Sequence, residues 1–222
     1  MKMTFYRNVV WFMKGLREYT KSGYETAAKN FVAADLEVDC SGLSYMITGA
    51  NSGIGKQAAI EIAKRGGVIH MVCRNPSYAE AAQKEIQDAA VKGQEIYIHI
   101  LDMSDPKAVT KFAKNFQHPI NVLINNAGCM VNQRTVTDDG LEKNFATNTL
   151  GTHILTESLM PKLMKSEIKA RVIIVSSGGM LTNKMDHEDF NFEKMQPFDG
   201  TMAYAQNKRQ QVHLIFQNSS SS

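Results

Sequence analysis

Thr48-Gly49-Ala50-Asn51-Ser52-Gly53-Ile54-Gly55 joins an apolar run at 43–48 to a helix-prone run at 53–64, and this turn decides the fold. A glycine-rich turn between a strand and a helix is the setting in which a dinucleotide pyrophosphate is held. Gly49 permits the tight turn, Gly53 lets the pyrophosphate approach the backbone, and Gly55 allows helix and strand to pack closely. Asn51, Ser52 and Ile54 complete the turn and open the helix, whose free N–H groups and partial positive charge face phosphate. A plain strand-to-helix turn would use the same glycines, but three in this register favour nucleotide binding.

Outward from this turn, short apolar runs alternate with longer polar segments. Strands are expected at 43–48, 68–73, 96–101, 120–125 and 171–176. Helices are expected at 53–64, 78–91, from Asp105-Pro106 to about 116, as one long element at 141–164, and at 202–215. This order predicts an α/β fold, a Rossmann-like doubly wound parallel sheet flanked by helices. Residues 1–40 read as a helical extension with a break near Ser22-Gly23, and 41–218 as the dinucleotide-binding domain. Residues 178–200 read as a polar, irregular insertion, and the serine run at 219–222 as a disordered tail.

The composition narrows the function. A chain of 222 residues, 43% hydrophobic and 21% charged, suits one soluble domain. A net charge of +3 without a basic, aromatic-studded stripe argues against nucleic acid. Cys40, Cys73 and Cys129 read as reduced thiols of an intracellular protein, and six scattered histidines without CxxC or HExxH argue against a metal. The N-terminus has neither a signal-peptide core nor an apolar run long enough to span a bilayer. Phe5, Val9, Phe12, Met13 and Leu16 share one helical face, opposite Arg7, Lys14 and Glu18. The favoured expectation is that this face packs on the following domain. The alternative is that residues 4–19 lie on an anionic membrane surface, making the protein peripherally membrane-associated where it would otherwise be cytoplasmic.

At the end of the second strand, an acidic residue would bind a ribose 2′-hydroxyl and an arginine would accommodate a 2′-phosphate. Cys73-Arg74-Asn75 holds no carboxylate, which favours NADP(H), with NAD(H) as the alternative. Tyr204 and Lys208 stand four apart on one helical face. An ammonium beside the phenol would lower its pKa and fit it for proton exchange with an alcohol or carbonyl near neutral pH.

The glycine turn, Asp102, Asn125-Asn126-Ala127-Gly128, Asn148, Ser176-Ser177 and Tyr204 with Lys208 occur in one order over about residues 43–216. In that order and spacing the chain resembles the short-chain dehydrogenase/reductase family. The resemblance implies an NAD(P)-dependent oxidoreductase acting on a small-molecule carbonyl or secondary alcohol. Tyr204 would be the proton donor or acceptor, Lys208 would depress its pKa and bond the nicotinamide ribose, and Ser177 would hold the carbonyl oxygen. Asn148 would position a water beside the lysine, Asp102 would bind the adenine edge, and Asn126, Ala127 and Gly128 would pack near the adenosine. Taken singly, the serines would equally cap a turn and Asp102 a helix.

Met180, Leu181, Met185, Phe190, Phe192, Met195 and Phe198 suggest a lipophilic substrate, although a loop packing its own side chains fits as well. The family's members continue beyond the Tyr/Lys helix with a sixth strand and a loop clasping the nicotinamide, which 210–222 does not resemble. The expectation from this is a truncated isoform with reduced turnover, or else a catalytically impaired nucleotide-binding or interaction protein. Homo-oligomers through the helices at 141–164 and 202–215 are the family's habit.

Overall fold

The computed structural model of the chain describes residues 2–166, 168 and 170–219. The apolar runs become strands β1 (Ser44–Thr48), β2 (Val68–Cys73), β3 (Ile96–Ile100), β4 (Val122–Asn125) and β5 (Arg171–Ile174). They form one parallel sheet in the order β3-β2-β1-β4-β5. β1 lies between β2 and β4, with Ile47 in register with Met71 on one side and Ile124 on the other. The order reverses beside β1, and in such sheets a crevice opens at the carboxyl ends of the strands there.

Successive strand residues serve opposite faces. On one face Met46, Val72 and Leu123 pack with Val109, Leu155 and Leu159 of the helices α5 (Pro106–Asn115) and α7 (Thr152–Leu163). On the other, Ile47, Ile69 and Met71 pack with Ala59, Ala63, Ala82 and Ile86 of α3 (Gly53–Ala63) and α4 (Pro76–Ala89). Two of these helices start on side-chain caps: Asn75 Oδ1 accepts from the Tyr78 amide (3.1 Å) and Asp105 Oδ1 from the Ala108 amide (2.9 Å). A proline at the first turn reinforces each cap.

Three expectations are corrected. The long helix at 141–164 is broken into α6 (Lys143–Phe145), a π-helical segment (Ala146–Gly151) and α7. The Asn148 side chain, clamped onto the backbone of Cys129, sits inside the widened turn. The extension breaks at Tyr19-Thr20, between α1 (Lys2–Glu18) and α2 (Lys21–Ala28), because Thr20 Oγ1 caps α2 by accepting from the Gly23 amide (3.3 Å). Gly23 is buried inside α2.

The apolar face of α1 is also turned outward: Val9, Phe12, Met13 and Leu16 are 44%, 57%, 61% and 51% exposed. The Phe5 and Arg7 side chains lie outside the described residues. Trp11, not that face, meets the domain, through a hydrogen bond from Nε1 to Gly178 O (2.8 Å).

The insertion opens with a 3₁₀ turn (Gly178–Leu181) and packs onto itself and the segment before α6. Phe192 is buried edge-on to Phe198, Phe190 stacks on Phe145, and Asn191 bonds Glu142 N and Gly140 O. Phe192 spends its apolar area on folding, whereas Phe190 stays 42% exposed. The last helix, α8 (Gly200–Ser219), is longer than expected; of the proposed tail, 220–222 lie outside the described residues. Among the described residues no helix is long and apolar enough to cross a membrane.

Candidate active site

A cavity of about 390 Å³ opens at the carboxyl ends of β1 to β4. Gly49, Asn51 and Ser52 line it from the first turn, Arg74 from the end of β2, Asp102 from the end of β3, and Asn126, Ala127 and Gly128 from the end of β4. Gly49 has φ +69°, a conformation that favours glycine, and a Cβ there would lie 3.1 Å from Ala127 Cα. Ser52 precedes α3 without a side-chain cap, which leaves the first N–H groups of that helix without a capping side chain among the described residues.

Five of the expected cofactor residues stay off the cavity wall: Gly53, Ile54, Gly55, Tyr204 and Lys208. Gly53 faces open space and Ile54 is 71% exposed. A Cβ at Gly55 would lie 2.5 Å from both Gly49 O and Asn126 Nδ2, so this glycine acts through packing of α3 on the turn. Any contact of 53–55 with a phosphate would be through backbone N–H groups.

The Asn126 side chain ties two strand ends together, donating to Thr48 O (2.9 Å), while Thr48 Oγ1 accepts from the amides of Asn126 (3.0 Å) and Ala127 (2.9 Å). Asp102 Oδ1 accepts from Ser104 N (2.9 Å) and Oγ (2.8 Å), which fixes the turn after β3. Arg74 is exposed at the rim, with no ion pair among the described residues. Sequence reasoning missed Asn75, Tyr78, Met103, Cys129 and Thr147 on the same wall. The rule that ligands bind beyond strand ends would have found Asn75, Met103 and Cys129.

The catalytic candidates meet this cavity at Gly128. A Cβ there would lie 3.2 Å from Asn148 Oδ1, tighter than ordinary contact, and 3.6 Å from Lys208 Nζ, an ordinary contact distance, so Gly128 is a cavity residue close to both groups. Asn148 is fully buried; its Oδ1 accepts from Cys129 N (2.8 Å) and its Nδ2 donates to Cys129 O (2.8 Å). Its backbone carbonyl accepts from Gln211 Nε2 (2.5 Å), a partner sequence reasoning did not supply.

Lys208 is 2% exposed, and Nζ donates to Val175 O (2.7 Å) while standing 5.5 Å from the Tyr204 ring centre. Burial pushes its pKa down to about 8. Tyr204 runs against expectation: burial, and then the neighbouring Cys129 thiol, push its phenol above the ordinary value. The lysine is spent on a carbonyl and lies over the ring, so desolvation outweighs its attraction for phenolate. Ser177 Oγ accepts from Gly179 N (3.1 Å), and Ser176 Oγ donates to Lys208 O (3.1 Å), joining the end of β5 to α8. Among the described residues, no group of three or more His, Cys, Asp or Glu side chains is arranged to hold a metal.

A family model described as short chain dehydrogenase matches residues 44–186. Dehydrogenase/reductase SDR family member 12 of Homo sapiens is 60% identical over 214 residues, 96% of this chain and 67% of the relative. Retinol dehydrogenase 13 of Mus musculus is 36% identical over 170 residues, 75% of this chain and 50% of that relative. A solved protein of uncharacterised function from Mycobacterium Paratuberculosis superimposes with a TM-score of 0.68 at 32% identity, over 80% of this chain and 61% of that one.

Proposed function

The chain belongs to the short-chain dehydrogenase/reductase family, whose members are NAD(P)-dependent oxidoreductases, and on that premise we propose that it reduces a lipophilic carbonyl with NADP(H). The observation that carries this reading is the proximity at Gly128, which lines the nucleotide cavity and at which an added Cβ would come within 3.2 Å of Asn148 Oδ1 and 3.6 Å of Lys208 Nζ. This proximity supports reading the cofactor cleft and the proton-transfer helix as parts of one site.

The residues present fit a nicotinamide dinucleotide. The glycine turn and the uncapped start of α3 suit the pyrophosphate, Asp102 keeps one carboxylate oxygen clear of Ser104 for the adenine side, and Arg74 suits a 2′-phosphate. The cofactor, when bound, supplies hydride chemistry. Proton chemistry belongs to the chain. Tyr204 with a raised pKa is a neutral phenol at pH 7 and a proton donor to a carbonyl oxygen. Ser177 Oγ accepts from Gly179, which leaves its own proton to donate to that same oxygen as charge develops. Lys208, charged below about pH 8, stabilises the phenolate left behind.

The lipophilic substrate rests on the likeness to a retinol dehydrogenase, because Phe192 is buried in the insertion's own packing. Access from a membrane surface is the reading for α1, whose apolar residues face outward with Lys14 and Arg17 exposed among them.

A second reading, a nucleotide-binding protein with little turnover, is favoured by β5. Among the described residues this strand pairs on one side only, and Ile173 is 43% exposed, so β5 has no strand partner on its outer side. Tyr204→Phe separates the two readings. NADPH-dependent reduction of retinaldehyde should fall about 10²–10⁴-fold with NADPH binding retained; retained turnover would remove Tyr204 from the chemistry.

A further inference from the structure

We propose that Trp11, outside the dinucleotide domain, is a positioning residue for the catalytic serine, fastening the turn that carries Ser177; the proposal rests on the assignment of Ser177 above. The indole Nε1 of Trp11 donates to Gly178 O at 2.8 Å, across 167 positions of sequence. Two helical turns further on, Tyr19 meets the same residue. A Cβ at Gly178 would lie 2.7–2.8 Å from the Cε2, Cζ and Oη atoms of its ring. Two aromatic side chains of the α1 end of the molecule thus close on the backbone of one glycine, and only glycine admits them.

Gly178 stands between Ser177 and the group that orients it. Ser177 Oγ accepts from the Gly179 amide (3.1 Å), and the Met180 amide donates to Ser177 O (3.1 Å). The opposite side of the same turn is held by α8, where Arg209 donates to Met180 O (3.4 Å) and Asn183 O (3.0 Å). α8 also carries Tyr204 and Lys208. The serine turn is therefore gripped between the helix that bears the proton donor and a helix from the N-terminal extension. The α8 grip sets the turn's distance from Tyr204, and the α1 grip keeps it from swinging outward on the unpaired side of β5.

Trp11→Phe in the full chain keeps an aromatic ring and removes the donor. Hydrogen exchange at the Gly179 and Met180 amides should quicken about fivefold, the scale of one lost hydrogen bond, while β1 to β4 amides and NADPH affinity stay unchanged. Retinaldehyde turnover with NADPH should fall several-fold in kcat. Trp11 is the sole tryptophan, so the emission of the unmodified chain reports solvent access to this contact directly. Exchange at 179 and 180 within twofold of the unmodified chain overturns the proposal, as does faster exchange with undiminished kcat. If the unmodified chain does not turn over, the functional reading fails while the exchange rates still decide whether Trp11 fastens the turn.

Discussion

Lys208 and Tyr204 show how burial and charge compete at a single pair of residues. A lysine four positions after a tyrosine suggests a lowered phenol pKa, yet the lysine donates to Val175 O and desolvation dominates both groups. Residue spacing was legible in the sequence; the depth at which α8 buries these residues was not, because it depends on the β5 and α6–α7 neighbours. Carbonyl reduction should decline as pH rises through about 8, where Lys208 loses its proton and phenolate loses its counter-charge. A pH–rate profile from 6 to 10 checks this, and Lys208→Met should flatten it.

Arg74 is the other residue with a sharp consequence. Arg74→Ala should weaken NADPH about 10- to 100-fold and leave NADH unchanged, the loss of a charge-assisted hydrogen bond of about 1.5–3 kcal/mol. Equal loss for both cofactors in a binding titration would remove Arg74 from 2′-phosphate recognition.

At the scale of elements, the strands were legible because both faces of a parallel sheet are covered, so each reads as an apolar run. The five runs found in the sequence are the five strands; 68–73 is unchanged and the other four are shortened by a residue or two. The helices were less legible. The periodicity over 141–164 gives no warning of the π-helical segment, which arises from the tertiary clamp of Asn148 on Cys129. For α1, amphipathic spacing identifies an apolar face but not what covers it, and here Trp11 makes the contact instead.

The turn into α3 carries a testable demand. Gly55→Ala would set a methyl 2.5 Å from Gly49 O, and should destabilise the chain by about 1–3 kcal/mol in chemical denaturation while weakening NADPH.

β2 and β3 add a pH response. His70 Nδ1 and His99 Nε2 lie 3.0 Å apart, and burial first, then neighbouring histidines, push their pKa values down to about 3 and about 4. Both are neutral in the fold, whereas the unfolded chain takes up protons near 6.5. Their stability contribution is therefore complete above about pH 6.5 and is lost as pH falls toward 4. The denaturation midpoint should drop across that window, and a flat profile would contradict the burial of the pair.

At the scale of the whole molecule, the family was legible from the order of its motifs, and the fold carries them to two adjoining places: a cleft at the strand ends and a polar, buried face of α8. The chain spans 67% of the human relative and 61% of the solved chain, and among the described residues β5 is an edge strand of the sheet. The central claim is that the glycine turn, Arg74 and Gly128 already form a working nucleotide site in this chain. The most direct test is a thermal melt with NADPH, NADH or no ligand. NADPH at about 100 times its dissociation constant should stabilise the fold by about 2.7 kcal/mol, and more than NADH at the same concentration. A cooperative melt that neither cofactor shifts would contradict the account.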